Sequence, residues 1–262
     1  MNLDLTGKTA VVGGSTQGLG YATAVELALL GANIVLLARN EEKLKTTVAS
    51  LDQSKGQQHQ YLVADFADVN NVVVAINRFI AKGMIAHILV NNTGGPDAGT
   101  VISATADDML QAFNNHLLCN HILVKALLPG MKESGYGRII NIISTSVKQP
   151  IPGLGVSNTI RAAVANWSKT LAGELGPFGI TVNNVLPGFT NTSRAAYVVE
   201  KKAHATGKST DEILAGLVAE IPVGRMGEPH EFAAAVAFLA SPAASYINGI
   251  NLPVDGGRLS CL

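Results

Sequence analysis

Residues 9–20 read TAVVGGSTQGLG, and this stretch decides the fold. The run 9–13 is apolar and rich in β-branched residues, as in a buried strand, and glycines at 14, 18 and 20 follow it directly. Such glycines allow a tight turn and a close approach to a pyrophosphate, whose charge the amides of the next helix stabilise. A glycine-rich turn also serves ordinary loops, but its place between a strand and a helix favours phosphate binding. The candidates are Gly14, Ser15, Thr16, Gln17, Gly18, Leu19 and Gly20.

Outward from this loop, short apolar runs alternate with longer amphipathic stretches along the whole chain. The pattern predicts strands at 9–13, 33–38, 60–65, 87–91, 138–143, 180–186 and 250–254. Near-continuous apolar strands such as 34–37 indicate burial on both faces. We therefore predict an α/β fold, a doubly wound parallel sheet with helices on both faces, in a single domain over 1–262. A long helix is expected near 107–133, and an insertion at about 189–227 is expected to form a lid over the substrate.

The chain has 262 residues, with 19 basic and 19 acidic side chains and only 15% charged residues. A net charge of zero provides no positive field for a phosphate backbone, so nucleic acid is not an expected partner. The low charged fraction favours burial against other subunits in a homo-oligomer. The uncharged stretch 233–254 is interrupted by polar residues and has no flanking aromatic or basic belt. We interpret it as a buried helix, a loop and a buried strand, and not as a membrane span.

Several absences in the sequence also predict the setting of the protein. The N-terminus has an early acid and no apolar signal segment, which predicts a cytoplasmic location. Cys119 and Cys261 lie far apart and form no metal or disulfide pattern, so we expect reduced thiols. The histidines at 59, 87, 121, 204 and 230 lack metal-ligand spacing, and no metal is expected; we take them for surface or helix residues.

The end of the second predicted strand indicates which cofactor the fold binds. An acidic residue there would select the free 2′-hydroxyl of NAD, but positions 38–40 are Ala, Arg and Asn. The planar fork of Arg39 suits a 2′-phosphate, so the sequence predicts NADP(H); a solvated Arg39 at a helix start is the alternative. Asp65, with Phe66 beside it, is placed to accept a hydrogen bond from the adenine amine. Capping of the following helix is the competing role for Asp65.

Several motifs in the right order resemble the short-chain dehydrogenase/reductase family, and its 3-oxoacyl-acyl-carrier-protein reductases in particular, over essentially the whole chain. They are the glycines at 14, 18 and 20, NNTG at 91–94, RIINIIS at 138–144, PG at 187–188 and LPVDGG at 252–257. The resemblance implies a Rossmann-type domain, nicotinamide-dependent chemistry and a tetramer or dimer. It assigns to the cofactor groove Asn92, Thr93 and Gly94, and to the nicotinamide side Pro187, Gly188, Thr190 and Thr192.

The family's catalytic residues are Asn, Ser and a Tyr-x-x-x-Lys pair, and this chain departs from that pattern. Ser144 matches the serine that hydrogen-bonds the substrate carbonyl. The Tyr position falls on Ser157, the Lys position on Arg161 and the Asn position on His116. An aliphatic hydroxyl is a much weaker acid than a phenol, so Ser157 is a poor replacement. Capping of the following helix is an alternative role for Ser157.

The other two replacements differ in what they can do with a proton. Arg161 lies one helical turn from Ser157, so it can bind the nicotinamide ribose, but a guanidinium does not shuttle protons. An imidazole that titrates near neutral pH is a competent acid or base if His116 points into the cleft; a structural His116 is the alternative. Tyr197, in the insertion, is a further hypothesis for the missing phenol.

Three functions remain open from the sequence. The first is an NADP-dependent oxidoreductase with an altered proton relay that acts on a small carbonyl or alcohol. The second is a nucleotide-binding sensor or scaffold without redox turnover, and the third is a lyase or isomerase that uses the same cleft. A basic edge of Lys201, Lys202 and His204 is compatible with an anionic substrate or an acyl-carrier partner, and equally with a solvated helix.

Overall fold

Seven parallel strands form one sheet in the computed structural model, which describes residues 1–261. Their order is β3-β2-β1-β4-β5-β6-β7, and every neighbouring pair is parallel. The strands are β1 Thr9–Gly13, β2 Asn33–Ala38, β3 Gln60–Val63, β4 Ile88–Asn91, β5 Gly137–Ile142, β6 Ile180–Pro187 and β7 Asn251–Val254. The predicted doubly wound parallel sheet is confirmed.

Helices cover both faces of this sheet. They are α1 Gly18–Leu29, α2 Glu41–Ser50, α3 Val69–Ala81, α4 Ala106–Phe113, α5 Cys119–Glu133, α6 Gly155–Leu175, α7 Ser193–Thr206, α8 Thr210–Ala219 and α9 Pro229–Ala240. Alternate residues of β1 enter two cores, because side chains on a strand point to opposite faces. Ala10 and Val12 pack with α1 and α9, whereas Val11 packs with α3 and α5.

The strand order places a crevice at the carboxyl ends of β1 and β4. The chain runs outward from β1 through β2 to β3, then returns to β4 on the other side of β1. Loops that leave neighbouring strands in opposite directions separate at such a switch point and open a crevice for a ligand. The glycine loop follows β1, and the segment 92–100 follows β4, so both border this crevice.

The helix predicted near 107–133 contains one turn of different geometry. Residues 114–118 form a π-helical turn between α4 and α5. With its amide nitrogen as the donor, Asn115 bonds the carbonyls of Phe66 at 2.7 Å and Gln111 at 3.2 Å. A single π turn widens a helix and reorients the side chains on it, and such turns are frequent at functional sites. His116 lies in this turn.

The stretch 233–254 contains the carboxyl part of α9, a short 3₁₀ turn and β7, close to the prediction. No helix among residues 1–261 is long and apolar enough to cross a bilayer. The expectation that β7 is buried is wrong: its residues alternate between exposed and half-buried. β7 is the last strand of the sheet and has a neighbour on one side only, which also explains why Pro253 is tolerated there.

The insertion predicted at 189–227 contains α7 and α8, packed together through Val199, Ala203 and Ile213. An isolated parallel bridge between Thr190 and Gly227 joins its two ends.

Two histidines that were expected on the surface or in helices instead accept hydrogen bonds from backbone amides near the start of a strand. His59 Nδ1 accepts from the Ile34 amide, and His87 Nδ1 accepts from the Thr9 amide, each at 3.1 Å. Cys119 is buried and Cys261 exposed, and both are free thiols.

Candidate active site

The start of α1 leaves its first amides without a side-chain cap. The N-cap residue, Gln17, makes no capping hydrogen bond, and no acidic residue occupies the first turn. Gly14 and Gly18, with φ of 55° and 57°, turn the backbone ahead of this helix start. Uncapped amides at the positive end of a helix dipole are a ready anion site. The loop therefore fits the pyrophosphate of a dinucleotide.

The glycines of this loop also allow close contacts that a side chain would prevent. A Cβ atom at Gly14 would lie 2.7 Å from Nδ2 of Asn92, and one at Gly20 would clash with the Gly14 carbonyl oxygen. Asn92 Nδ2 donates to the carbonyls of Gly13 at 3.1 Å and Gly14 at 3.3 Å. Asn92 thus ties the loop after β1 to the end of β4.

The other predicted loop residues differ in their exposure. Ser15 is fully buried, and its hydroxyl accepts from the Leu37 amide at 3.1 Å. The side chain of Ser15 therefore holds the loop against β2. The side chains at the crevice surface are Thr16, Gln17 and Leu19, which are partly or fully exposed.

At the adenosine end, Arg39 is exposed directly after β2 and makes no hydrogen bond or ion pair with residues 1–261. Asp65 is half-buried, and its Oδ1 accepts from the Ala67 amide at 3.0 Å. Asp68, not Asp65, caps α3, so the capping role considered for Asp65 is wrong. Phe66 is buried, and a Cβ atom at Gly13 would lie 3.3 Å from its ring. The ring therefore packs against the start of the glycine loop.

The segment after β6 reaches back to the glycine loop. Thr192 caps α7 by accepting from the Ala195 amide, and its methyl group would lie 3.7 Å from a Cβ at Gly18. Thr190 is buried and donates to the Gly188 carbonyl at 3.4 Å, so it shapes this turn. A side chain at Gly188 would overlap Asp255. The remaining predicted groove residues, Thr93, Gly94 and Pro187, are partly or fully exposed beside the crevice.

Ser144 and Ser157 follow the sequence prediction only in part. Ser144 comes just after β5, half-buried, and its Oγ accepts from the Ser146 amide at 3.0 Å, which leaves the hydroxyl proton available to donate. Ser157 is the third residue of α6, half-buried on its first turn. The N-cap of α6 is Leu154, so the capping role considered for Ser157 is wrong.

Arg161 is 8% exposed, and its Nη1 donates to the Ile142 carbonyl at 3.1 Å. Its Nε has no hydrogen-bond partner among residues 1–261. Burial, with a smaller contribution from the charge of Arg194, lowers the pKa of Arg161 to about 10. The side chain therefore stays cationic at neutral pH. The residue that it contacts, Ile142, lies two positions before Ser144 in the sequence.

His116 is 2% exposed, and its Nδ1 has no hydrogen-bond partner in the described chain. Burial, followed by the charge of Arg161, lowers the pKa of His116 to about 2. The expectation that this imidazole titrates near neutral pH is therefore wrong. His116 is therefore neutral at pH 7. It can take part in hydrogen bonds there, but it cannot act as an imidazolium acid.

A cavity of about 390 Å³ has His116 in its wall and lies between the segment after β4, the π turn and the start of α6. Its lining includes Gly95, Asp97, His116 and Val156, the last being next to Ser157. Its size is that of a site for a small molecule. The sequence prediction missed Arg194, which reaches this region from α7 by donating to the Pro96 carbonyl at 2.9 Å. The sequence feature that could have indicated Arg194 is its position two residues after Thr192, which was assigned to the nicotinamide side.

Tyr197 lies on the same lid helix. Its ring centroid is 5.3 Å from the Arg194 guanidinium carbon and 5.0 Å from the Lys201 ammonium, and the ring is 38% exposed. The side chain packs between two cations. Its role as a substitute phenol stays a prediction.

Seven parallel strands, a glycine loop at the switch point and a small-molecule cavity beside it define a dinucleotide-binding α/β protein. Residues 14–258 match the family profile described as enoyl-(acyl carrier protein) reductase. The chain is 35% identical to the 3-oxoacyl-[acyl-carrier-protein] reductase FabG of Haemophilus influenzae over 97% of this chain and 98% of that protein. It belongs to the short-chain dehydrogenase/reductase family of oxidoreductases, as the motifs predict.

Solved structures give the same relationship. The L-sorbose reductase of Gluconobacter frateurii, complexed with NADPH and L-sorbose, is 32% identical, with a TM-score of 0.93 and full coverage of both chains. The F189W variant of an actinorhodin polyketide ketoreductase with NADPH is 32% identical, with a TM-score of 0.89 over 96% of this chain and 97% of that one.

Proposed function

We propose that this protein is an NADP-dependent oxidoreductase that interconverts a small carbonyl compound and its alcohol at an atypical site. The observation that carries the proposal is the uncapped start of α1 beside Gly14 and Gly18, together with the unpaired Arg39 after β2. A pyrophosphate and a 2′-phosphate are the anions that these two positions fit. The NADPH-bound sorbose reductase and polyketide ketoreductase are relatives that support this cofactor.

When bound, NADPH supplies a hydride to the carbonyl carbon, and the carbonyl oxygen takes up one proton, which yields the alcohol and NADP⁺. In our proposal Ser144 donates its hydroxyl proton in a hydrogen bond to the carbonyl oxygen. The neutral His116 adds a second hydrogen bond from the cavity wall, and the charge of Arg161 stabilises the developing alkoxide. Ser157, on the first turn of α6, is too weak an acid to protonate that oxygen itself, so the proton comes from solvent.

The first experiment measures cofactor binding and turnover together. Thermal unfolding with NADPH and with NADH tests the cofactor, because a ligand at about 100 times its Kd stabilises the folded state by about 2.7 kcal/mol. We expect a clear rise in Tm with NADPH and a smaller one with NADH. A panel of small ketones, aldehydes and alcohols then tests turnover. Tight NADPH binding without oxidation or reduction across the panel would contradict the proposed activity.

That outcome would favour the second candidate, a nucleotide-binding sensor or scaffold. The observation behind it is Ser157, which replaces the acidic phenol that the family uses. The double variant S157Y/R161K separates the two candidates. A large gain of activity from an inactive parent would support the scaffold, whereas an active parent would exclude it. A product formed with no net use of NADPH would instead indicate the lyase or isomerase.

We also propose that the chain forms a homo-oligomer, a tetramer or a dimer. Leu110 and Phe113 on α4 are 58% and 39% exposed, and Tyr246 is fully exposed near the carboxyl end. Large apolar side chains grouped on one helix are typical of a protein interface. The exposed side chains of α4, together with the low charged fraction of the chain, support an interface there.

A further inference from the structure

Two arginine side chains meet at Gly95, at the edge of the cavity. A Cβ atom at Gly95 would lie 3.8 Å from Nη2 of Arg161 and 3.9 Å from Nη2 of Arg194. Both nitrogen atoms therefore lie within 4 Å of one point. Gly95 itself lines the cavity, so the guanidinium groups of Arg161 on α6 and Arg194 on α7 lie beside its edge.

Neither arginine has a carboxylate partner among residues 1–261. Arg161 donates to the Ile142 carbonyl, and Arg194 donates to the Pro96 carbonyl and packs on the Tyr197 ring. Neutral carbonyls leave both charges uncompensated. For Arg161, which is buried, such a charge is costly unless an opposite charge accompanies it. Burial, and to a smaller extent the charge of Arg194, lower the pKa of Arg161, which nevertheless remains cationic at neutral pH.

The acidic residues that line the cavity are engaged elsewhere. Asp97 forms an ion pair with Lys201, with Nζ and Oδ1 3.7 Å apart. Asp108 accepts from the amide and hydroxyl of Thr105 in the cap of α4. His116 is neutral, and Arg194 stands in the first turn of the 14-residue helix α7, whose dipole adds positive potential there. The Gly95 end of the cavity is therefore positive.

The position of the pair favours a substrate anion over a cofactor phosphate. Thr192, not Arg194, reaches Gly18 at the phosphate loop. Arg161 is anchored on the Ile142 carbonyl at the end of β5, close in sequence to Ser144. We propose, on the basis of the proposed function, that Arg161 and Arg194 bind a carboxylate that the substrate carries next to its reactive carbonyl. The planar forks of two arginines suit the two oxygens of a carboxylate. The substrate class is then an oxo acid or hydroxy acid.

The test compares a charged probe with its neutral ester on protein saturated with NADP⁺, which cannot reduce either one. Pyruvate and methyl pyruvate share the oxo group and differ in charge. Isothermal titration calorimetry should show pyruvate binding at least tenfold more tightly than methyl pyruvate. Arg194→Gln should remove most of that preference and change the Kd for NADP⁺ less than about threefold. Arg194 is exposed, so this variant is expected to fold.

Lys202→Gln is the matched control, since it removes one positive charge from the exposed face of the same helix. It should leave the preference for pyruvate intact. Equal binding of pyruvate and its ester to the wild type would overturn the proposal. So would an Arg194→Gln protein that keeps the preference but loses NADP⁺ affinity, because Arg194 would then serve the cofactor. If NADP⁺ does not bind at all, the proposed function fails by itself, and the same two probes on cofactor-free protein still decide the anion site.

Discussion

At the scale of single residues, the polar groups around the cavity are held in charge states that their positions impose. His116 and Arg161 are both buried, and each has a nitrogen without a hydrogen-bond partner in the described chain. Burial, followed by the charge of Arg161, keeps the imidazole neutral, whereas the guanidinium keeps its charge because its pKa is still about 10. The site therefore offers hydrogen bonds and a fixed cation, but no histidine that titrates near neutral pH.

The neutral state of His116 predicts a pH dependence of stability. Below pH about 6.5 the unfolded chain binds a proton at this position and the folded chain does not, so the free energy of unfolding falls as the pH falls. Between pH 7.5 and pH 5 this loss is about 2 kcal/mol. Urea unfolding at the two pH values measures this loss. In H116Q the free energy of unfolding should fall less between them than in the wild type, by this amount. H230Q, at an exposed histidine, should behave like the wild type.

Arg39 gives a second prediction at this scale, for cofactor choice. R39A should weaken NADPH binding by about 10- to 100-fold, because a hydrogen-bonded charge pair with the 2′-phosphate contributes about 1.5–3 kcal/mol. NADH binding should change little, since NADH has no phosphate there. Fluorescence titration measures both constants. R78A, which removes an exposed arginine from α3, is the control; an unchanged NADPH affinity in R39A would mean that Arg39 is merely solvated.

At the scale of elements, a row of asparagines crosses the sheet and joins four strands. Asn91 on β4 donates to Asn141 on β5 at 2.8 Å, and Asn141 donates to Asn184 on β6 at 3.0 Å. Asn184 in turn donates to Asn251 on β7 at 2.8 Å. These residues are direct partners in the strand register, so the row fixes the register of the half of the sheet that carries Ser144.

The centre and the edge of this row should respond differently to truncation. Asn141 is fully buried and also donates to Ser168 at 2.9 Å, so N141A leaves several buried polar groups unsatisfied. We expect a loss of about 2–4 kcal/mol in the free energy of unfolding. N251A, at the exposed edge, should cost about 1 kcal/mol or less, because water replaces the lost partner. Equal losses in the two variants would contradict the role given to burial.

At the scale of the whole molecule, the apolar surface of α4 predicts the state of association. Sedimentation should give two or four times the mass of one chain. The double variant L110D/F113D should shift the protein toward monomers, because two carboxylates are costly to bury in an apolar interface. I80D, at an exposed isoleucine of α3, is the control and should leave the mass unchanged. A wild-type monomer would contradict the proposed oligomer.

The fold could be predicted from the sequence because its signals are local. A β-branched run such as 34–37 marks a strand buried on both faces, and the glycines at 14, 18 and 20 mark one kind of turn. The edge position of β7 was not predictable in this way, since an edge strand has the same apolar character and differs only in its neighbours. The π turn at 114–118 was likewise not predicted; in it Asn115, with its amide nitrogen as the donor, bonds the carbonyl of Phe66, about 50 positions away in the sequence.

The sequence by itself determined the parallel sheet, the glycine loop after β1, the serine at 157 and the arginine at 161, and the arginine after β2. Only the tertiary structure decided the charge states and the partners at the site. It buried His116 beside Arg161 and lowered its pKa, and it brought Arg194 from α7 to the same glycine as Arg161. Residue identity fixes which protons and donors a side chain has. Burial and neighbouring charges fix which of them are used, and these depend on contacts between residues far apart in the sequence.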